Sequence, residues 1–303
     1  MSFLVELLII IILCAVANSL LGIFLVLRGN SLISFGLAHS ILFGIVAAYL
    51  VVSQLNSFLL LIGAAMTGLV IVSLVELISS SRYIRYDAAL GLIYLTVFAV
   101  AIILLTKYVD NAALSLNAVV TGQLVYTPFI RLTILGIDLP RAMWILGFLL
   151  FLNIGFITLF YKELMLTSFD PTYAKIIGYS PQAVSLLLMA LTSLTIVGSY
   201  SVVGAILVVA FVITPPATAL LLSQQIRVII GSTIVIATIG AVSGLLLAWF
   251  LDISPTGSIA VVYGMGFLIA LMIGSESQLR QQIFSTEDKI PPPPNYLIEH
   301  GGN

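Results

Sequence analysis

FLVELLIIIILCAVANSLLGIFLVL, residues 3–27, carries one charged side chain, Glu6, in an otherwise apolar run. As an α-helix rising 1.5 Å per residue it spans about 37 Å, enough to cross a hydrocarbon core of about 30 Å. It has no basic segment ahead of it and its apolar run is too long for a cleaved leader, so it reads as a retained first membrane helix. The pattern recurs along the chain. Apolar runs fall near residues 31–52, 56–79, 88–106, 142–161, 183–198, 201–222, 226–251 and 256–274, which with the first make nine candidate crossings. The run at 183–198 is short for a crossing, so eight is the alternative count.

Composition agrees. Of 303 residues, 61% are hydrophobic and 8% charged, and mean hydropathy is +1.24. That is too little Asp, Glu, Lys and Arg to cover a soluble domain. The expected fold is an all-α integral membrane protein, a polytopic bundle of eight or nine transmembrane helices over 1–274, followed by a polar, proline-rich tail at 275–303. Four successive prolines favour extended, disordered chain in that tail, and His300 reads as a solvated tail residue. A net charge of −1 offers no basic face to nucleic acid. The single cysteine, Cys14, excludes an internal disulfide and a thiolate metal cage, and reads as a small packing residue.

Lys and Arg set the orientation, because cytoplasmic loops carry an excess of them. With the N-terminus outside and nine crossings, Arg28, Arg82, Arg85, Lys162, Lys175, Arg227, Arg280 and Lys289 fall inside. Lys107, Arg131 and Arg141 fall outside, all in the connection 107–141, which is expected to lie partly in the interface as a short helix or re-entrant turn. The C-terminus is then cytoplasmic.

Charged groups at mid-depth mark proton relays and coupling-ion sites, and the runs are nearly free of them. Glu6, Glu76, Asp87, Asp110 and Asp252 fall near predicted helix ends, within reach of water or headgroups. HExxH, GxSxG and GxxxxGK[ST] are absent, so no hydrolysis and no ATP binding by a P-loop is expected of this chain. The exception is His39, in SLISFGLAHSILFG at 31–44, about 12 Å in from the nearer end of its run. Neutral imidazole is a good ligand for Mn, Fe or Zn ions and is costly to bury without a partner. The other reading is a histidine bonded to Ser34, Ser40 or a backbone carbonyl. Pro215 and Pro216, in VVGAILVVAFVITPPATALLL, remove two backbone donors late in a run. They either break the helix along a pathway or help it turn into the next loop, the second being the expected role.

Within the polar segment 162–182, SFDPTYAKIIGYSP has the marks of a short helix with specified ends. Asp170 suits the N-cap and Pro171 the first helical position. Gly178 suits a left-handed C-terminal cap, and Pro181 prevents continuation. Such a helix is either a linker or a docking surface.

Together these motifs resemble the membrane subunits of ABC importers for divalent transition metals, the manganese, zinc and chelated-iron permeases. FDPTYAKIIGYSP is similar to that family's FDPxxAxxxG coupling segment, and VVGAILVVAFVITPPATALLL to its VGxxLVVAxxxxPPATAxLL helix. RYDAALGLIY is similar to its EDAAIGIxF stretch and LDISPTGSIAVVYG to its final loop and helix. RLTILGIDLPRAMWILG resembles the manganese and iron branch more than the zinc branch. The likeness runs from about residue 5 to 275. It implies a type II ABC importer-like permease in a prokaryotic plasma membrane, moving a divalent metal ion by alternating access and binding no cofactor of its own. Its implied partners are a P-loop ATP-binding subunit that uses the ATP, an extracytoplasmic metal-binding protein, and a second permease, either a paralogue or a copy of itself. Phe169, Asp170, Pro171, Ala174 and Gly178 are the residues the resemblance assigns to coupling with the ATPase.

The family selects its ion with an aspartate and a histidine four apart on the second helix. Here His39 matches the histidine, and Phe35 stands at the aspartate position. Three explanations compete: a paralogous permease that keeps the aspartate, a changed substrate or an apolar gate at Phe35, or a homodimer using Asn18, Asn153 or backbone carbonyls. A permease for a larger chelate of the siderophore or cobalamin type is the nearest alternative. A secondary metal carrier fits less well because buried charge is lacking, and a passive scaffold because of the coupling-like segment.

Overall fold

The computed structural model describes residues 3–52, 58–79, 86–108, 122–134 and 136–273. The tail with His300, residues Arg82, Arg85 and Asp110, and the side chains of Glu76 and Asp87 lie outside that description. Ten α-helices are described: α1 (Phe3–Leu27), α2 (Leu32–Val52), α3 (Phe58–Ser79), α4 (Tyr86–Tyr108), α5 (Arg141–Leu159), α6 (Tyr161–Phe169), α7 (Pro171–Ile176), α8 (Pro181–Leu222), α9 (Ile226–Leu251) and α10 (Pro255–Ile273). At the centre is α1, whose Ile10, Ile11, Cys14 and Phe24 are fully buried between α5, α8 and α9.

Seven helices among the described residues are long and apolar enough to cross a membrane, fewer than the eight or nine expected. The seven do not include α3, itself an apolar helix of 22 residues, and the sixth and seventh runs form one element, α8, of 42 residues. A straight helix of that length measures about 63 Å, twice a bilayer core. Instead, Gly204 has φ 76° and ψ 172°, a conformation nearly confined to glycine. Asn18 Nδ2 donates to Ser199 Oγ at 2.7 Å, and Ser19 Oγ donates to the Phe211 carbonyl at 2.8 Å. On a straight helix residues 199 and 211 lie about 18 Å apart. Because they meet adjacent residues of α1, α8 folds back at Gly204 into two arms. Gly122, itself at φ 72°, covers the fold so tightly that a Cβ there would lie 2.4 Å from the Gly204 nitrogen.

Pro215 and Pro216 do not have the role expected of them. The second arm runs unbroken past both to Leu222, and both are buried. Lacking N–H groups, they leave the carbonyls of Phe211 and Val212 without their usual donors four residues on. α1 serves the first of those carbonyls, through the Ser19 hydroxyl. Gly22, one turn further along the same face, approaches the second so closely that a Cβ would lie 1.9 Å from the Val212 oxygen.

The connection before α5 has the short helix expected of it and, in addition, a hairpin. It holds a 3-10 helix, Leu124–Phe129, and an antiparallel hairpin of β1 (Arg131–Ile134) and β2 (Ile137–Pro140) that turns at Gly136. Phe129 packs on Phe3 with ring centroids 5.6 Å apart. Arg131 donates to both Glu6 oxygens, at 2.9 and 3.1 Å, and to Asp138 at 3.1 Å. Glu6, placed by sequence within reach of water, is 3% exposed. Its charge is tolerated because the guanidinium of the hairpin supplies the counter-charge and two hydrogen bonds. Asp138 first, and then Glu6, raise the Arg131 pKa above its ordinary value. Asp252 does lie at a helix end: it takes the left-handed position after α9, with φ 53°.

Candidate metal-contact face and coupling segment

On α2, Phe35 and His39 stand one turn apart, and on α4 Tyr94 and Phe98 do the same. The Phe35 and His39 rings lie 4.2 Å apart between centroids. Tyr94 meets Phe35 edge-on at 5.5 Å, and Phe98 meets His39 edge-on at 5.3 Å. His39 is half-buried and Phe35 is 38% exposed, so this aromatic frame opens on the side of α2 that no described helix covers. His39 Nδ1 lies 2.8 Å from the Phe35 carbonyl oxygen. A carbonyl only accepts, so Nδ1 is the donor in this bond and Nε2 is the ring nitrogen left to face a ligand.

Of the partners expected for His39, the backbone carbonyl is the one found. Ser34 donates to the Ser31 carbonyl at 2.7 Å and Ser40 to the Gly36 carbonyl at 2.6 Å. Among the described residues no three His, Cys, Asp or Glu side chains converge to hold a metal ion. The face therefore offers one nitrogen ligand framed by aromatic rings. Asn18 and Asn153 do not join it. Asn18 bonds the Cys14 carbonyl and Ser199, and Asn153 bonds the Ala17 carbonyl and Thr195. Both are buried, and they tie α1, α5 and α8 together.

The second feature is α7 with its flanks. Asp170 Oδ1 accepts from the Tyr173 N–H at 2.8 Å and Pro171 opens the helix, as the sequence predicts. Gly178 has φ 96°. The Gly178 N–H donates to the Lys175 carbonyl at 3.1 Å, and the Tyr179 N–H to the Ala174 carbonyl at 3.0 Å, the paired bonds of a Schellman end. Pro181 does more than stop α7: after Ser180 caps the next turn, it starts α8. Ala174 is fully buried, while Phe169 and Ile176 are 62% and 78% exposed with Tyr173 beside them. A two-turn helix thus presents an apolar surface beyond the bundle.

Sequence reasoning missed the aromatic pair on α4, which looks like ordinary lipid-facing side chains, and it missed Arg28. Arg28 Nη2 donates to Thr167 Oγ1 at 2.8 Å and Nε to Ser168 Oγ at 3.0 Å, just ahead of Asp170. Desolvation lowers its pKa from the ordinary value. In the sequence Arg28 registers only as one positive charge among several.

A folded-back bundle of long apolar helices with a capped helix outside it defines a multi-pass membrane protein. The chain belongs to the ABC 3 transport family, which matches residues 1–274. It is 36% identical over 262 residues to the manganese transport system membrane protein MntD of Bacillus subtilis, covering 86% of this chain and 88% of that one. It is 35% identical over 267 residues to the zinc transport system membrane protein TroD of Treponema pallidum, covering 88% and 73%. Its fold matches PsaBC from Streptococcus pneumoniae in complex with Fab, with TM-score 0.75 and 27% identity over 89% of this chain and 91% of that one. The resemblance drawn from the motifs and the all-α permease fold both hold. The chain is thus a membrane subunit of an ABC transport system, which implies ATP-binding and substrate-binding partners.

Proposed function

We propose that this chain is one membrane half of an importer that moves Mn, Fe or Zn ions across the plasma membrane by alternating access, driven by ATP hydrolysis in a partner subunit. The observation that carries the reading is membership of the ABC 3 transport family across the whole membrane region. Relatives named for manganese and zinc transport support the ion class. The N-terminus faces outside, where an extracytoplasmic metal-binding protein delivers the ion. The surface of Phe169, Tyr173 and Ile176, fixed by Asp170, Pro171, Ala174 and Gly178, seats the ATP-binding subunit on the cytoplasmic side. Pro215 and Pro216 act by fastening α8 to α1 and not by lining the path.

His39 contacts the ion through Nε2, its ring aimed by the bond from Nδ1 to the Phe35 carbonyl. One imidazole framed by Phe35, Tyr94 and Phe98 gives a dehydrating divalent ion no compensating charge. We therefore assign the missing carboxylate to a second permease, a paralogue with aspartate at the Phe35 position. The test is manganese uptake by proteoliposomes holding the complete transporter. Uptake is expected to need ATP and to fall at least about tenfold on His39→Ala, the loss of one good ligand. Uptake driven by a proton gradient without ATP would overturn the importer reading. The aromatic frame also suits a metal chelate, and competition of excess ferric siderophore with manganese would favour that alternative.

A further inference from the structure

We propose that Arg28 is the positioning residue through which displacement of α7 is passed to α1 and so to the membrane bundle; this rests on the importer reading above. α1 ends in the same paired-bond geometry as α7. The Gly29 N–H donates to the Val26 carbonyl at 3.0 Å and the Asn30 N–H to the Leu25 carbonyl at 2.9 Å, with Gly29 at φ 69°. That ending holds Arg28, half-buried, at the last turn of α1.

From there the guanidinium reaches the last turn of α6. Both of its acceptors have committed protons: Thr167 Oγ1 donates to the Glu163 carbonyl at 2.7 Å and Ser168 Oγ to the Leu164 carbonyl at 2.6 Å. Each hydroxyl thus accepts from Arg28 while donating into its own helix, giving two parallel relays that polarise one another. Arg28 forms neither of the two ion pairs among the described residues. Its charge faces the carbonyl ends of both helices, where the helix dipole favours a cation. A planar fork held at two points fixes direction as well as distance, which an ammonium does not.

The position of the contact makes it mechanical. Thr167 and Ser168 immediately precede Phe169 and the capping Asp170, so movement of α7 reaches Arg28 within a turn of helix. On α1, Gly22 lies about 9 Å back along the axis from Arg28 and packs closely against Val212 and Pro216, one turn from the Ser19 bond to the Phe211 carbonyl. The chain of contacts therefore runs from α7 through the Arg28 fork to α1 and into the second arm of α8. A push on α7 becomes a shift along the seam between α1 and α8.

The test is the number of manganese ions taken up per ATP hydrolysed, measured in proteoliposomes with the complete transporter. Wild type is compared with Arg28→Lys, Arg28→Ala and the double variant Thr167→Val/Ser168→Ala. The ratio is expected to fall about tenfold in Arg28→Ala and in the double variant, the bias lost with a charge-assisted hydrogen bond, while hydrolysis stays within about twofold. Arg28→Lys is expected to fall between them and wild type. A purely structural role lowers uptake and hydrolysis together and leaves the ratio unchanged, and that result overturns the proposal. If Arg28→Ala does not assemble, the double variant, which keeps the arginine, decides by the same ratio. A wild type without ATP-driven uptake overturns the importer reading, and the Arg28 role with it.

Discussion

Ser19→Ala tests whether α1 sustains the helix of α8 through its paired prolines. The Ser19 hydroxyl is the donor to a carbonyl that Pro215 has deprived of its own, and both residues are buried. Removing it leaves the Phe211 carbonyl dry and unpaired, a loss of about 1–3 kcal/mol in a protein interior. Hydrogen bonds between membrane helices average nearer about 0.6 kcal/mol and reach about 1.7, because the unfolded chain in a membrane also finds partners. The expected cost is therefore about 1–1.5 kcal/mol, toward the upper end of that membrane range, since the second partner is lost as well. The assay is unfolding of the purified transporter in mixed micelles of rising denaturing-detergent fraction. The decisive comparison is a double-mutant cycle with Pro215→Ala, which restores an N–H to the Phe211 carbonyl from within α8. In that background Ser19→Ala is expected to cost under about half as much. An equal cost in both backgrounds refutes the reasoning, because the serine would then act by packing alone.

Two further changes probe the backbone. Gly204→Ala puts a side chain on a conformation that non-glycine residues rarely adopt, so it is expected to cost about 1–3 kcal/mol in the same assay. Stability equal to wild type would mean that α8 does not fold back there. Asp170→Ala removes the cap of α7 and about 1 kcal/mol of its helical stability, whereas Asp170→Asn keeps an acceptor oxygen. Recovery of the ATP-binding subunit with the purified permease is expected to drop for Asp170→Ala and hold for Asp170→Asn; equal recovery of both would separate the cap from docking.

The features legible in the sequence are those whose causes are local. The first crossing follows from residues 3–27 alone, and the ends of α7 follow from Asp170, Pro171 and Gly178 because each needs only its near neighbours. The fold-back at Gly204 was hidden inside an apolar run, where hydropathy records length and not direction. The prolines were misread for a related reason: what replaces the donor lost to Pro215 lies on α1, far away in sequence. Glu6 looked water-exposed because its partner, Arg131, is 125 residues distant. At the candidate site, His39 and the absence of a carboxylate at Phe35 were readable by pattern. Tyr94 and Phe98 were not, since which face of α4 meets α2 is a matter of packing.

The seam between α1 and α8 also orders events in time. A ribosome delivers α1 first, yet Asn18 and Ser19 find their partners 181 and 192 residues later, on Ser199 and Phe211. Until those residues emerge, an amide and a hydroxyl of the leading helix sit in the bilayer without their final acceptors. α1, which enters the membrane ahead of α8, is thus completed only with it, and a chain released before Phe211 would keep its central helix without a settled place.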